Sequence, residues 1–207
     1  MTRTLPRKLL VVLAITTSIP ASVLAQPAAL SAGDALTAQE REVLTAAEQL
    51  AAEASQLIEQ WITTQAITED RLFARLYFPI AKTDPQKYAT PYDTLADRDL
   101  VGPEDKMLAR TTTLLYAIVT DSNGYVPAHN TRFAQPLTDN VEHNYINNRT
   151  KRMLGDAASL LAARSEAHYL IQRMKLETGD VIYDLSVPVT VRAKHWGCVR
   201  IGYRRSE

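Results

Sequence analysis

Four histidines (His129, His143, His168 and His195), a single cysteine (Cys198) and a basic run at Arg149, Lys151 and Arg152 are the side chains of this sequence with the widest chemical reach. Hydrolytic or transfer chemistry would need a nucleophile beside a base, paired carboxylates at a working distance, or ligands at metal spacing. None of these patterns is present. The histidines are scattered, with no H-x-x-x-H or H-E-x-x-H run, and a lone cysteine cannot build a thiolate metal cluster. C-x-x-C-H is absent, which excludes covalent haem attachment and leaves noncovalent haem on His129 or His195 as the alternative. The sequence therefore predicts no enzyme and no cofactor. Cys198, inside a strand-like run, reads as a buried apolar residue rather than a reactive one.

Binding chemistry is better represented. Arg149 and Arg152 lie three residues apart and would share a face of a helix predicted over 149–163, with Lys151 pointing elsewhere. A carboxylate ligand wants the planar donor pair of a guanidinium, although a solvated basic face is an equal reading. His129, just after Tyr125-Val-Pro-Ala, either hydrogen-bonds a ligand or closes a turn, and His195 beside Trp196 reads as a structural residue of the last hairpin. In the strand 181–191 the side chains alternate, so Tyr183, Leu185 and Val187 face one way and Asp184, Ser186 and Pro188 the other. Polar Asp184 and Ser186 on one face of a central strand suit a pocket wall. Asp184 then either meets a ligand amine or is satisfied by a neighbouring arginine, and both readings stand. The candidate ligand-binding set is Tyr125, His129, Arg149, Arg152, Tyr183, Asp184 and Ser186.

These side chains must be positioned by a scaffold, and its ends are the plainest part. Arg3, Arg7 and Lys8 precede an apolar run from Leu9 to Ile15, then Pro20 and Val23-Leu24-Ala25, the pattern of a secretory signal peptide cut after residue 25. Residues 26–36 read as a flexible leader. Losing the signal removes three basic and no acidic residues, so 23 against 23 becomes 20 against 23, a net charge near −3. That balance argues against a nucleic-acid binder. About 180 residues remain, enough for one domain with a core of its own.

Residues 37–110 read as a helical region and 111–207 as a sheet domain, the two forming one unit. From Thr37 to Ile67, Leu36, Val43, Leu50 and Leu57 recur every seven residues, and Ala47, Ala54 and Trp61 form a second series on the same face. Such a helix would be roughly 45 Å long. It must lie across the domain or meet a second copy, which predicts either packing on the chain's own sheet or a weak homodimer through Leu50 and Leu57. Thr68 resembles an N-cap for a shorter helix carrying Leu72, Phe73, Leu76 and Tyr77 that Pro79 ends, and 82–91 read as a loop. Residues 92–110 read as partly helical, broken at Gly102-Pro103. Leu114 to Thr120 is a buried strand, Asp121-Ser-Asn-Gly124 a hairpin turn, and Tyr125-Val126 the start of a return strand. Strands at 168–176, 181–191 and 195–204 complete five antiparallel strands with a helical insertion, an α+β fold.

Four motifs in this order, Asp121-Ser-Asn-Gly-Tyr-Val-Pro-Ala-His-Asn130, Asn148-Arg-Thr-Lys-Arg152, Asp184-Leu-Ser-Val-Pro-Val189 and His195-Trp-Gly-Cys-Val-Arg-Ile-Gly-Tyr203, resemble the periplasmic Cache (PAS-like) sensor region of bacterial methyl-accepting chemotaxis receptors. The resemblance covers roughly residues 70–204. It implies a long amino-terminal helix packed on a small five-stranded PAS-like sheet that binds a small periplasmic molecule, here an organic acid or amino acid. Such receptors continue into a membrane helix and a cytoplasmic signalling coiled coil, whereas this sequence stops soon after the last strand. The expectation is a periplasmic binding domain without output modules of its own, either a free binding protein that meets a membrane signalling partner or a remnant that has lost its output half. The alternative is a non-catalytic interaction protein that docks on a membrane partner through its long helix.

Overall fold

A computed structural model describes residues 29–30, 35–175 and 180–205. The expected signal peptide, most of the expected leader and all but Asp180 of the turn expected at Thr178-Gly179-Asp180 lie outside the described residues. The first helix, α1 (Ala38–Thr63), starts where the sequence places it: Thr37 accepts the backbone N–H of Glu40 while the Glu40 carboxylate accepts that of Thr37, a capping box. At 26 residues α1 is about 39 Å long. Its buried stripe of Val43, Ala47, Leu50, Ala54, Ile58 and Trp61 packs on the chain's own sheet. Of the two expectations for this face, the stripe takes the packing on the chain's own sheet, and Leu57 is only half-buried against it.

Four long antiparallel strands make the sheet: β4 (Leu114–Asp121), β7 (Leu170–Lys175), β8 (Val181–Val191) and β9 (Lys194–Tyr203), in the order β7-β8-β9-β4. A two-residue strand, β1 (Ala29–Leu30), pairs outside β7. The expected fifth strand is not in this sheet. β5 (Tyr125–Val126) pairs instead with β6 (Arg152–Met153). The reason lies in the turn. Gly124 sits at φ 76°, its carbonyl accepts the Leu154 N–H at 2.8 Å, and a side chain there would meet the Leu154 carbonyl at 2.5 Å. The chain after the turn is therefore drawn to residues 152–154 and away from β4.

Other boundaries shift for similar local reasons. Thr68 does cap α2 (Glu69–Phe73), but Arg75 at φ 54° ends the helical run before Leu76 and Tyr77. β2 (Phe78–Ile80) and β3 (Lys87–Ala89) then form a small antiparallel pair inside the region expected to be helical. The break in 92–110 falls at Leu100, between α3 (Asp93–Asp99) and α4 (Val101–Leu108). Pro103 is tolerated there because the first-turn N–H groups of a helix have no intrahelical acceptor. The expected 149–163 helix is split: α5 (Val141–Asn147) precedes the basic run, Arg152 belongs to β6, and α6 (Ala157–Arg164) starts at the Asp156 cap.

Strand pairing places Leu185, Ile201 and Ala117 in one row and Val187, Val199 and Val119 in the next, all within the core beneath α1. The opposite face carries rows of a different character: Gln172, Asp184, Gly202 and Tyr116 in one, Ser186, Arg200 and Ile118 in the next. β4 is the edge strand, and side chains satisfy its outward backbone groups. Asn130 accepts the Ala117 N–H, Glu104 accepts the Val119 N–H at 2.9 Å, and Arg132 donates to the Leu115 carbonyl.

Glu104 is fully buried, and burial pushes its carboxyl well above the ordinary range against the opposing pull of the Val119 N–H. A raised carboxyl favours the fold fully only below the unfolded value near 4.5; that contribution is lost as pH rises towards the folded value. Glu104→Gln keeps the acceptor and removes the ionisation. The variant should melt higher than the parent at pH 7–8, with the difference shrinking to nothing as pH falls to about 4.5, measured by thermal denaturation across pH.

Candidate functional site

The polar face of the sheet is organised by one ion pair. Arg200 of β9 binds Asp184 of β8 through Nη2 at 2.9 Å, with Nε 3.1 Å from Oδ2, and both side chains are buried. Arg200 Nη1 donates to Ser159 of α6 at 2.9 Å, and the Tyr116 hydroxyl donates to Asp184 Oδ2. Gly202 makes this possible, because the Tyr116 ring lies across the place its side chain would fill. Asp184 is thus satisfied by an arginine and a tyrosine. Of the two sequence readings, this geometry supports the structural one. Burial and the neighbouring Asp184 carboxylate raise the Tyr116 hydroxyl well above its ordinary range, keeping it a donor.

α6 covers the end of this face nearest Cys198, where Ala162, Ala163 and Cys198 pack together and His195 Nε2 lies 2.8 Å from the Ala163 carbonyl. That places His195 in the structural role the sequence suggested. The Cys198 thiol is buried and pushed up to about 12, which leaves it protonated and inert. At the other end the Tyr116 ring is half-buried, and the charge of Arg149 acts on its hydroxyl. Ser186 is buried next to Arg200, and Gln172 is buried with neither amide atom paired among the described residues.

Beyond the edge of β4 the chain builds a second cluster. Phe133, in the short 3₁₀ turn Thr131–Phe133, has the Arg132 guanidinium 4.6 Å and that of Arg149 4.7 Å from its ring centroid, with the His129 ring edge-on at 5.1 Å. Arg152 lies over the Tyr145 ring at 4.7 Å, and Lys87 is buried, donating to the carbonyls of Asn148 and Thr150. His129 is buried with Nδ1 unpaired among the described residues. Its burial and then Arg149, Arg132, Arg152 and Lys87 push it down to about 3, so the imidazole is neutral. Burial, then Arg152 and Lys151, brings Lys87 down to about 8.

The structure brings together Asp184 and Ser186 on one face, and His129, Arg149 and Arg152 beside it. Lys151 does point elsewhere, because its φ of 61° turns the side chain to Asp97 at 2.7 Å and Asp93 at 3.7 Å. Two sequence-predicted residues fall outside the site. Tyr125 is a core residue whose hydroxyl lies 2.9 Å from the Tyr88 carbonyl and 2.8 Å from the Asp93 carboxylate. Tyr183 lies on the α1 face, 5.7 Å from the Tyr203 ring and under Arg205 at 4.0 Å. Sequence reasoning missed Tyr116, Arg200, Ser159 and Gln172, and also Lys87, Arg132 and Phe133. One signal was available: an arginine at Arg200 inside an otherwise apolar strand.

Asp121, read only as a turn residue, is a buried hub. It accepts from the Tyr77 and Tyr92 hydroxyls and from the backbone of Asn123 and Tyr125, and lies 3.5 Å from Arg75 Nη1. Among the described residues no group of three or more His, Cys, Asp or Glu side chains could hold a metal ion, and no helix is long and apolar enough to cross a membrane.

No protein-family model matches the sequence, and no curated protein matches it. Among solved structures, an extracellular ligand binding receptor from Desulfohalobium retbaense DSM5692 is similar, with 13% sequence identity and a TM-score of 0.37. The match covers 82% of this chain and 26% of that one, so the chain spans about a quarter of the receptor's length.

Proposed function

We propose that this chain is a non-catalytic, small-molecule-binding sensor domain of the chemoreceptor type, exported to the periplasm by its amino-terminal signal. The observation that carries the reading is the chemical division of the sheet. One face is apolar and sealed by α1, while the other is polar and anchored by the buried Asp184–Arg200 pair, with Tyr116 half-buried at its β4 side. A rigid ion pair beneath adaptable polar side chains suits recognition of a small polar ligand. Nothing in this arrangement supplies an activated nucleophile or a base paired with an acid. The alternative, docking on a membrane partner through α1, loses its surface because the apolar stripe of α1 is already buried.

Thermal denaturation of the purified protein against amino acids, organic acids, polyamines and purines tests the reading. A true ligand at a hundredfold excess over Kd should raise Tm by about 5–10 °C. A broad panel that moves Tm nowhere would contradict it.

A further inference from the structure

We propose that the cluster around His129 is an oxyanion site, in which the carboxylate or phosphate group of a small molecule supplies the counter-charge to Lys87, Arg132, Arg149 and Arg152. This rests on the ligand-binding reading above and names its chemistry.

Among the described residues, the cations packed into this fold have carboxylates: Arg200 has Asp184, Arg75 has Asp121, and Lys151 has Asp93 and Asp97. Buried Lys87, half-buried Arg149 and Arg152, and exposed Arg132 form no ion pair among those residues. Their polar partners are backbone carbonyls, of Asn148 and Thr150 for Lys87, Leu115 for Arg132, Ile146 for Arg149 and Tyr145 for Arg152. Gathering like charges in a partly desolvated region is costly unless an opposite charge joins them.

The neighbouring groups are suited to that charge. His129 is 4% exposed, and its Nδ1 has no protein partner among the described residues; the next residue, Asn130, is fully buried with its amide nitrogen also unpaired. A neutral imidazole carrying its proton on Nδ1 and a carboxamide NH₂ are both donors to an oxyanion. Phe133 holds the Arg132 and Arg149 guanidinium groups at nearly equal distances from its ring, limiting the freedom lost on binding. Guanidinium groups grip carboxylate and phosphate oxygens through paired N–H bonds, so both oxyanions share this recognition.

Isothermal titration with inorganic phosphate, succinate and acetate, at ionic strength fixed with sodium chloride, tests the assignment. At least one oxyanion should bind with one-to-one stoichiometry and shift the His129 ring resonances. Arg149→Gln, and independently the more exposed Arg132→Gln, should weaken it at least about tenfold, while Arg41→Gln on α1 should leave it unchanged. Phosphate alone would identify a tetrahedral group and succinate or acetate alone a carboxylate, each supporting the site. If neutral or cationic compounds bind and no oxyanion does, the inference fails and the ligand-binding reading survives. If nothing binds, both fail. Oxyanion binding indifferent to both arginine variants, or matched by chloride, also overturns the inference.

Discussion

Replacing Leu50 and Leu57 together by glutamate should abolish folding. Leu50 is completely buried in the α1 stripe beneath the sheet, and Leu57 packs at its margin. Loss of a buried leucine alone costs about 3–5 kcal/mol, and forcing an unpaired carboxylate into the same space adds several more. The total is comparable to the about 5–15 kcal/mol that holds a domain of this kind together. Circular dichroism should show loss of the native spectrum and no cooperative transition. A folded, monomeric double variant would instead mean that the stripe serves a second copy and does not belong to the core.

Asp184→Ala should be the most damaging single substitution on the polar face. Arg200 is 2% exposed, and with Asp184 removed it keeps only Ser159 among its present side-chain partners, while the Tyr116 hydroxyl loses its acceptor. Breaking a buried pair on one side costs about 3–5 kcal/mol, which should lower Tm by about 10 °C or more. The double change Asp184→Leu with Arg200→Met should recover much of that loss, since exchanging a buried pair for apolar residues of similar volume is often neutral. A single variant within about 1 °C of the parent would show that Asp184 is free to take a ligand amine.

The two predictions also show what could be read from the residues alone. The α1 stripe was legible because helical periodicity is a local property, and the Thr37 box marks its start to the residue. The division of β8 into Leu185 and Val187 against Asp184 and Ser186 was legible from alternation. Partners were not. Nothing in the order of residues says that Arg200 lies opposite Ser186 and reaches Asp184, because register across two strands is set by the turn and bulge between them. The hairpin at Asp121-Ser-Asn-Gly124 was half legible. Its turn is present, but its return strand follows Leu154, a tertiary contact with no local signature. Tyr125 and Tyr183 looked like pocket residues by type, and their placement in the core and on the α1 face follows from the same long-range pairing.

The central claim, that a small molecule binds on the polar side of this sheet, is tested most directly by a crystal structure of the protein grown with whichever compound raises Tm most. The account predicts density for that molecule at the β4 side of the face, in contact with Tyr116 and Arg149 and above an undisturbed Asp184–Arg200 pair. Density elsewhere, such as the cleft of Glu42, Val43 and Arg110 beside the start of α1, with Arg149 turned onto a protein carboxylate, would contradict it.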